Sequence, residues 1–344
     1  MSKSYYIIPV FISHQGCPHQ CVFCNQDRIA RVVEKEVTAE DVKRTIEDYL
    51  KTINSKGATL EVSFFGGTFT AIPEKKQREL LAVALEYKNK GLIHNIRMST
   101  RPDAINNYIL NYLKDYKVDI IELGVQSLDN EVLIKSGRGH TAEQVEKASR
   151  LIKEHGFILG HQIMPGLPGD TFEKDINTAK KSIEMKPDIC RIYPALIIKD
   201  TPMEKMHERG EYNPYSLKDA VYISSELLKL YKRAKVKVIR IGLQPTESIT
   251  WGKDIVDGPF HPAFRELVEG YLICNTLKEK TDEEKDIIIE INSRDISKLY
   301  ANKKEYFNEF SSSRKGKTFV KVENKIKRGK IKLTVIESRE EFKI

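Results

Sequence analysis

Apolar runs rich in Ile, Val and Phe alternate with amphipathic segments of helical period over most of the chain. The runs are Tyr5 to Ile12, Thr59 to Phe65, His94 to Thr100, Val118 to Val125, Phe157 to Met164 and Ile189 to Ile198. Helices between them open on capping residues: Thr38 with Asp41, Asp103, Asp129, Thr141, Thr171 and Ser216. Such strand–helix repeats demand a parallel sheet with helices outside it, because parallel neighbours are joined only by crossovers. An open doubly wound sheet would carry a Gly-rich fingerprint after its first strand, and here that loop holds cysteines instead. The chain reads as an α/β protein, a partial (β/α)6 TIM-like barrel, in which working residues stand at the carboxyl ends of the strands.

Near Arg233 the rhythm changes. Val236 to Leu243 reads as a further strand, followed by a polar loop from Pro245 to Pro262 that holds the single tryptophan, Trp251, and by a long helix from Pro262 to Lys280. The rest reads as a small C-terminal α/β extension: a strand from Asp286 to Asn292, a helix from Ser293, and strands Thr318 to Val322 and Lys330 to Glu337 forming a hairpin around Arg328-Gly329. The expected division is 1–235 for the barrel, 236–280 for an extension of its core and 281–344 for a small basic tail. Tyr5 to Ile12 is less than half the roughly 20 residues that span a bilayer. It contains Pro9 and lacks the small-residue cleavage site of a secretory signal. A cytoplasmic protein without membrane contact is expected.

Of five cysteines, three fall within eight residues, in Cys17-Pro18-His19-Gln20-Cys21-Val22-Phe23-Cys24. Clustered thiols in a reducing compartment read as ligands rather than disulfides. Three thiolates on a short loop suit one face of an iron-sulfur cluster, leaving a fourth iron open to bind a substrate or cofactor. The alternative is a structural zinc site with His14 or His19 as fourth ligand, although no second Cys/His pair follows. Cys190 and Cys274 stand alone and read as core.

The cysteine spacing, its place after the first strand and the repeat pattern together resemble the radical S-adenosylmethionine (SAM) superfamily. The resemblance implies a [4Fe-4S] cluster on Cys17, Cys21 and Cys24, and reductive cleavage of SAM to a 5′-deoxyadenosyl radical that takes a hydrogen atom from substrate. An electron donor such as flavodoxin or ferredoxin is implied with it. Gly66-Gly67-Thr68, after the second strand, matches the superfamily's glycine pair beside the methionine amino group. Gln126-Ser127 at the fourth strand end, with Arg138 twelve residues after Gln126, is similar to anaerobic coproporphyrinogen dehydrogenases and the catalytic subunit of Elongator. By that resemblance Gln126 would contact the SAM ribose and Arg138 its carboxylate. Ser99 and Gln162, at the third and fifth strand ends, complete the expected SAM contacts.

Ser99-Thr100-Arg101-Pro102-Asp103, Arg138-Gly139-His140-Thr141, Met164 to Gly169, Arg191-Ile192-Tyr193-Pro194 and Gly258 to Glu269 all resemble the radical SAM half of the Elongator subunit, which modifies wobble uridine in tRNA. The implied reaction is modification of a tRNA base. Three departures stand out. The cysteine loop is shorter than in Elongator, Ser99 occupies a position that is usually acidic, and the sequence stops where the acetyltransferase domain would begin. Carboxymethylation from acetyl-CoA is therefore not carried over. A radical SAM enzyme for a small metabolite such as a porphyrin stays open, as does a non-catalytic, zinc-stabilised nucleic-acid binder. Tyr193, His161 and Gln162 read as lining a substrate cavity, with His161 alternatively a satisfied core group.

The chain carries 57 Lys and Arg against 49 Asp and Glu. Nine basic residues and one acid fall between Arg314 and Lys332, and outside that segment the charges balance. Arg314, Lys315, Lys317, Lys325, Lys327 and Arg328 are the candidate phosphate contacts, and Phe319 would stack on a base if exposed.

Overall fold

Each of the six apolar runs forms a strand, because alternate residues on it have different places to go. The computed structural model describes residues 5–12, 17–25, 36–53, 57–245 and 249–336. Strands β1 (Tyr5–Phe11), β2 (Thr59–Phe65), β3 (Asn95–Thr100), β4 (Ile120–Gln126), β5 (Ile158–Ile163) and β6 (Ile189–Ile192) lie side by side in chain order, all parallel. The run ending at Ile198 breaks after β6 because Pro194 has no N–H for a ladder. Its last residues form a short strand β7 (Ile197–Ile198). Strand β8 (Lys237–Ile241) joins β6 in parallel and makes the sheet seven-stranded, curled into a half-barrel. β7 pairs antiparallel with β9 (Ile255–Asp257) in a ribbon of its own.

Helices α1 (Ala39–Thr52), α2 (Glu74–Asn89), α3 (Asn107–Asp115), α4 (Asn130–Lys135), α5 (Ala142–Glu154), α6 (Phe172–Glu184), α7 (Pro202–Glu208) and α8 (Leu217–Arg233) follow the strands. Thr38 and Thr141 close full capping boxes with Asp41 and Gln144, and Asp129, Thr171 and Ser216 cap their helices through side-chain oxygens. Asp103 does not cap. Its carboxylate takes the Arg101 guanidinium at 2.9 and 3.0 Å, and α3 starts later, on Asn106.

Leu60, Val62, Phe64, Ile96, Met98, Ile121, Leu123, Leu159 and Ile192 point to the helix side of the sheet and are fully buried or nearly so. The residues between them on the same strands are polar or small: Glu61, Ser63, Arg97, Ser99, Glu122, Gly124, Gly160, Gln162 and Arg191. Period-two alternation thus separates an apolar layer under the helices from a polar concave face.

The barrel strands lie in a unit comprising Met1–Ala220 and Leu230–Phe260, and a second unit comprises Val221–Lys229 and His261–Ile344. The second is built on α9 (Phe264–Lys280), β10 (Asp286–Ile291), α10 (Ile296–Leu299), α11 (Glu305–Ser312), β11 (Thr318–Val322) and β12 (Ile331–Ile336). The expected hairpin is not formed: β10 lies between β11, its parallel partner, and β12, its antiparallel one. The reason is in β10 itself. Ile287, Ile289 and Ile291 are fully buried against Cys274, Leu277, Leu299 and Phe310, so this strand takes the centre. On its other face Glu290 stands between Lys321, 3.5 Å away, and Lys332, at 2.7 Å. One carboxylate flanked by two ammonium groups favours the same order.

Candidate active site at the strand ends

The loop after β1 is held by the two residues between its last cysteines. Phe23 packs on Val132, Leu167 and Ala195, and Val22 on Ile197, Met203 and Tyr212. Backbone bonds from Val22 N to Ser136 O (3.0 Å) and from Met203 N to Val22 O (2.9 Å) fix it further. None of the three cysteines is in a disulfide; Cys21 is buried, Cys17 and Cys24 are half-buried, and all three border one cavity of about 1290 Å³. Beneath the loop runs Gly137-Arg138-Gly139. Both glycines have positive φ, and a Cβ on Gly139 would lie 2.4 Å from the His19 ring. The close approach of this strap to the cysteine loop therefore needs glycine.

Arg138 joins the loop to the sheet. One guanidinium nitrogen is 3.2 Å from Cys21 Sγ, another donates to the Gly124 carbonyl at 2.5 Å, and Nε has no partner among the described residues. The Arg138 carbonyl accepts from Arg101 at 2.5 Å. His140 is buried beside these two cations. Burial first, then their charges, push its ring down to about 3, so it is neutral.

The other expected residues meet at the same cavity. Gly66 turns the chain after β2 with φ 102°, and Thr68 Oγ1 lies 3.1 Å from Cys17 Sγ. A bulge at the end of β4 holds Gln126 at φ 66°, and its buried Oε1 has no partner among the described residues. Gly124 makes room for both neighbours, since a Cβ there would stand 3.1 Å from Arg138 Nη2 and 3.2 Å from Gln126 Nε2. Gln162 Nε2 reaches Ser99 Oγ at 3.4 Å. Cys17, Cys21, Cys24, Gly66, Gly67, Thr68, Ser99, Gln126, Arg138 and Gln162 all line it, with Tyr193. His161 does not: it faces the helix side, bonded to Ser149 at 2.9 Å and Ser182 at 2.8 Å.

Four charged residues under the cavity escape a motif-based reading. Glu61, Arg97, Glu122 and Arg191 alternate in sign across β2, β3, β4 and β6 and are paired in a row. Their sequence signal is a single charged residue in each of the four strands. A buried charge in such a position requires a partner.

Among the candidate phosphate contacts Arg314 is excluded. It is 8% exposed, donates to Thr281 Oγ1 and to the carbonyls of Asp282 and Lys285, and lies over the Phe310 ring. Its guanidinium braces the second unit from inside. Lys315 pairs with Glu284 at the surface, and Lys317, Lys325, Lys327 and Arg328 are exposed. Phe319 is about one-third exposed on β11.

Three soft thiols on one loop, an open cavity and the unpartnered Gln126 Oε1 and Arg138 Nε suit a cluster with a polar ligand beside it. Among the described residues no three His, Cys, Asp or Glu side chains are grouped around a single ion. A cluster is larger than an ion and takes its thiolates at separate corners. His14, the other zinc candidate, lies outside the described residues. No helix among them is long and apolar enough to cross a membrane.

Comparison with known proteins agrees with this geometry. The sequence profile of the Radical SAM superfamily matches residues 11–181, and that of the Radical_SAM C-terminal domain matches residues 187–273. A tRNA uridine(34) acetyltransferase of Methanocaldococcus jannaschii is 28% identical over 312 residues, covering 80% of this chain and 57% of that protein. The chain thus spans little more than half the length of that relative. An uncharacterised protein of the same organism is 31% identical over 229 residues, 63% of this chain and 68% of its own length. The solved structure of archaeal Elp3 from Methanocaldococcus infernus, lacking its N-terminus, superposes with a TM-score of 0.64 at 25% identity, covering 80% of this chain and 64% of that one. The chain belongs to the radical SAM superfamily, whose enzymes use a [4Fe-4S] cluster and S-adenosylmethionine.

Proposed function

We propose that this radical SAM enzyme modifies a base of tRNA. The observation that supports the site most directly is convergence: ten residues from one loop, several strand ends and the Arg138 strap border a single cavity. In this reading Cys17, Cys21 and Cys24 would hold the cluster, which with SAM would supply the radical chemistry that takes a hydrogen atom from the substrate.

The chain's own residues position and enclose. Gly66 and Gly67 let backbone approach the methionine end without a side chain in the way. Arg138, already fixed by Gly124, has its unpartnered Nε to offer a carboxylate, the chemistry guanidinium suits best. Gln126 presents a carbonyl oxygen for ribose hydroxyls, and Thr68, Ser99 and Gln162 surround the remaining polar edge. A cavity of about 1290 Å³ exceeds the usual range for one small ligand. It has room for SAM and an extruded base, provided the base leaves its stack.

Two facts support tRNA as the substrate: the names of the matched relatives and the exposed lysines on the second unit. A one-electron donor of the flavodoxin or ferredoxin kind is part of the proposal. Acetyl transfer is not. The test has two arms. Anaerobic reconstitution with iron and sulfide, followed by EPR and a SAM cleavage assay, should give a cluster and 5′-deoxyadenosine, both lost in Cys21→Ala. Mass spectrometry of RNA nucleosides from cells with and without the protein should show one altered nucleoside. A cluster without any altered nucleoside would favour a small-molecule substrate.

A further inference from the structure

The row of charges beneath the cavity ends in a tyrosine on each side, and the two tyrosines have opposite polarity. Tyr5 on β1 donates its proton to Glu61. Glu61 accepts from Arg97 Nη2 at 2.9 Å, Arg97 Nη1 lies 3.2 Å from Glu122 Oε1, and the same oxygen accepts from Arg191 Nε at 2.8 Å. Arg191 Nη1 then donates to the hydroxyl oxygen of Tyr193 at 3.0 Å. The four charged residues are at most 7% exposed, alternate in sign and sum to zero. Two carboxylates balance two guanidiniums, so no net charge is left for a ligand. Within the row Arg97 Nε, Glu122 Oε2 and Arg191 Nη2 are buried without a hydrogen-bond partner among the described residues, whereas the two end hydroxyls lie at its rim and differ in direction.

Tyr5 has used its proton, and burial, then Glu61, push its phenol up. Tyr193 is the reverse case. Its oxygen is occupied by a cationic donor, and its hydrogen has no acceptor among the described residues. A guanidinium on the phenol oxygen draws electron density from the O–H and strengthens it as a donor. The ring is half-buried and borders the cavity that holds the cysteines, so that donor is accessible to a ligand. Its placement is rigid. Arg191 is fixed from behind by Glu122, and Glu122 fills the space that Gly160 leaves on β5, where a Cβ would lie 2.6 Å from Glu122 Cγ.

We propose that Tyr193 is a specificity-determining donor to a carbonyl oxygen of the substrate, oriented by the Glu61–Arg97–Glu122–Arg191 row. This rests on the reading of the substrate as an RNA base and narrows it. A fixed O–H donates to a pyrimidine carbonyl oxygen. It is left unpaired by an amino group or by a ring carbon bearing only hydrogen. Uracil, with a carbonyl at both positions 2 and 4, meets the requirement at either edge.

The experiment uses the reconstituted protein and three anticodon-type RNA stem-loops. One carries uridine at the reacting position, and the others carry analogues lacking the 2-oxygen or the 4-oxygen. Wild type is expected to bind one of the two analogues about tenfold more weakly than uridine. Tyr193→Phe should bind the uridine stem-loop with the same loss and no longer distinguish it from that analogue, with an unchanged cluster EPR signal. Arg191→Lys, which keeps the charge but loses the fixed fork, should give a smaller ratio than wild type. Discrimination that survives in Tyr193→Phe overturns the assignment and leaves RNA binding intact. So does a wild type that binds all three equally. A wild type that binds no stem-loop overturns the RNA reading, and the assignment falls with it.

Discussion

Arg138 and Cys21 are 117 residues apart in sequence, yet a guanidinium nitrogen of the first lies 3.2 Å from the sulfur of the second. The same side chain donates to Gly124 at the end of β4. One cation thus ties the expected cluster loop to the expected SAM edge of the sheet. A charge-assisted bond of this kind is worth about 1.5–3 kcal/mol. Arg138→Ala should therefore weaken SAM binding by at least about tenfold while the cluster still forms, and Arg138→Lys should recover only part of it. Titration of SAM into reconstituted protein, followed by the change in the cluster EPR signal, reads both quantities. Unchanged SAM affinity in Arg138→Ala would remove Arg138 from the site.

Gly139 and His19 make a second link between strap and loop, and it separates into two costs. Alanine at position 139 would carry φ 68°, a left-handed conformation costing about 1–2 kcal/mol for a residue with a Cβ. It would also meet the His19 ring at 2.4 Å. His19 is exposed, so the ring is free to move, but the cysteine loop moves with it. Gly139→Ala should lower both stability and cluster occupancy. Adding His19→Ala should restore occupancy while the stability loss from backbone strain remains. Iron and sulfide content, with urea unfolding of each variant, gives the comparison. Equal occupancy in all variants would show that the strap does not position the loop.

His161, on the helix side of the sheet and outside the cavity lining, supplies a pH dependence. Burial pushes its ring down to about 3, against an ordinary value of 6.5. The unfolded chain therefore takes up a proton near pH 6.5 that the native state refuses until about pH 3. Stability from this group is fully present above pH 6.5 and is lost as pH falls through that window, by up to about 1.4 kcal/mol per pH unit. In cluster-free protein, His161→Gln should be less stable than wild type at about pH 7.5. The gap should close or reverse near pH 5.5. A gap that stays constant between the two values would mean that His161 takes up its proton at the same pH in the folded and the unfolded chain.

The sheet and most helix starts were legible because they depend on local pattern. Thr141 and Gln144 are three residues apart, and the inward and outward positions of a strand alternate wherever the strand lies. Asp103 misled because Arg101, two residues away, holds the carboxylate that a helix would otherwise use. The Glu122–Arg191 pair joins residues 69 apart on strands that are not neighbours in the sheet, and no periodicity reports such a pairing. The Gln126 and Arg138 positions were legible from family spacing, but the Gly124 carbonyl that fixes Arg138 was not. Charge counting failed at Arg314 for a related reason. A run of basic residues says how much charge a segment carries and nothing about which guanidinium turns inward.

Inward-turned and exposed cations should therefore respond differently to removal. Lys325, Lys327 and Arg328 are exposed in the connection between β11 and β12, whereas Arg314 supports the carbonyls of Asp282 and Lys285. On a single strand, each phosphate that is no longer neutralised lowers the slope of log affinity against log salt by about 0.7. Replacing the three exposed residues by alanine should therefore reduce that slope for tRNA by up to about 2 and weaken binding at low salt. Tm and SAM cleavage without RNA should stay as in wild type. Arg314→Ala should behave oppositely, lowering Tm through the removal of three hydrogen bonds while changing the slope little in the protein that remains folded. Filter-binding titrations at several salt concentrations, paired with thermal melts, separate the two. If the triple variant keeps the full slope, the phosphate contacts lie elsewhere and the excess charge of this segment is only solvated surface.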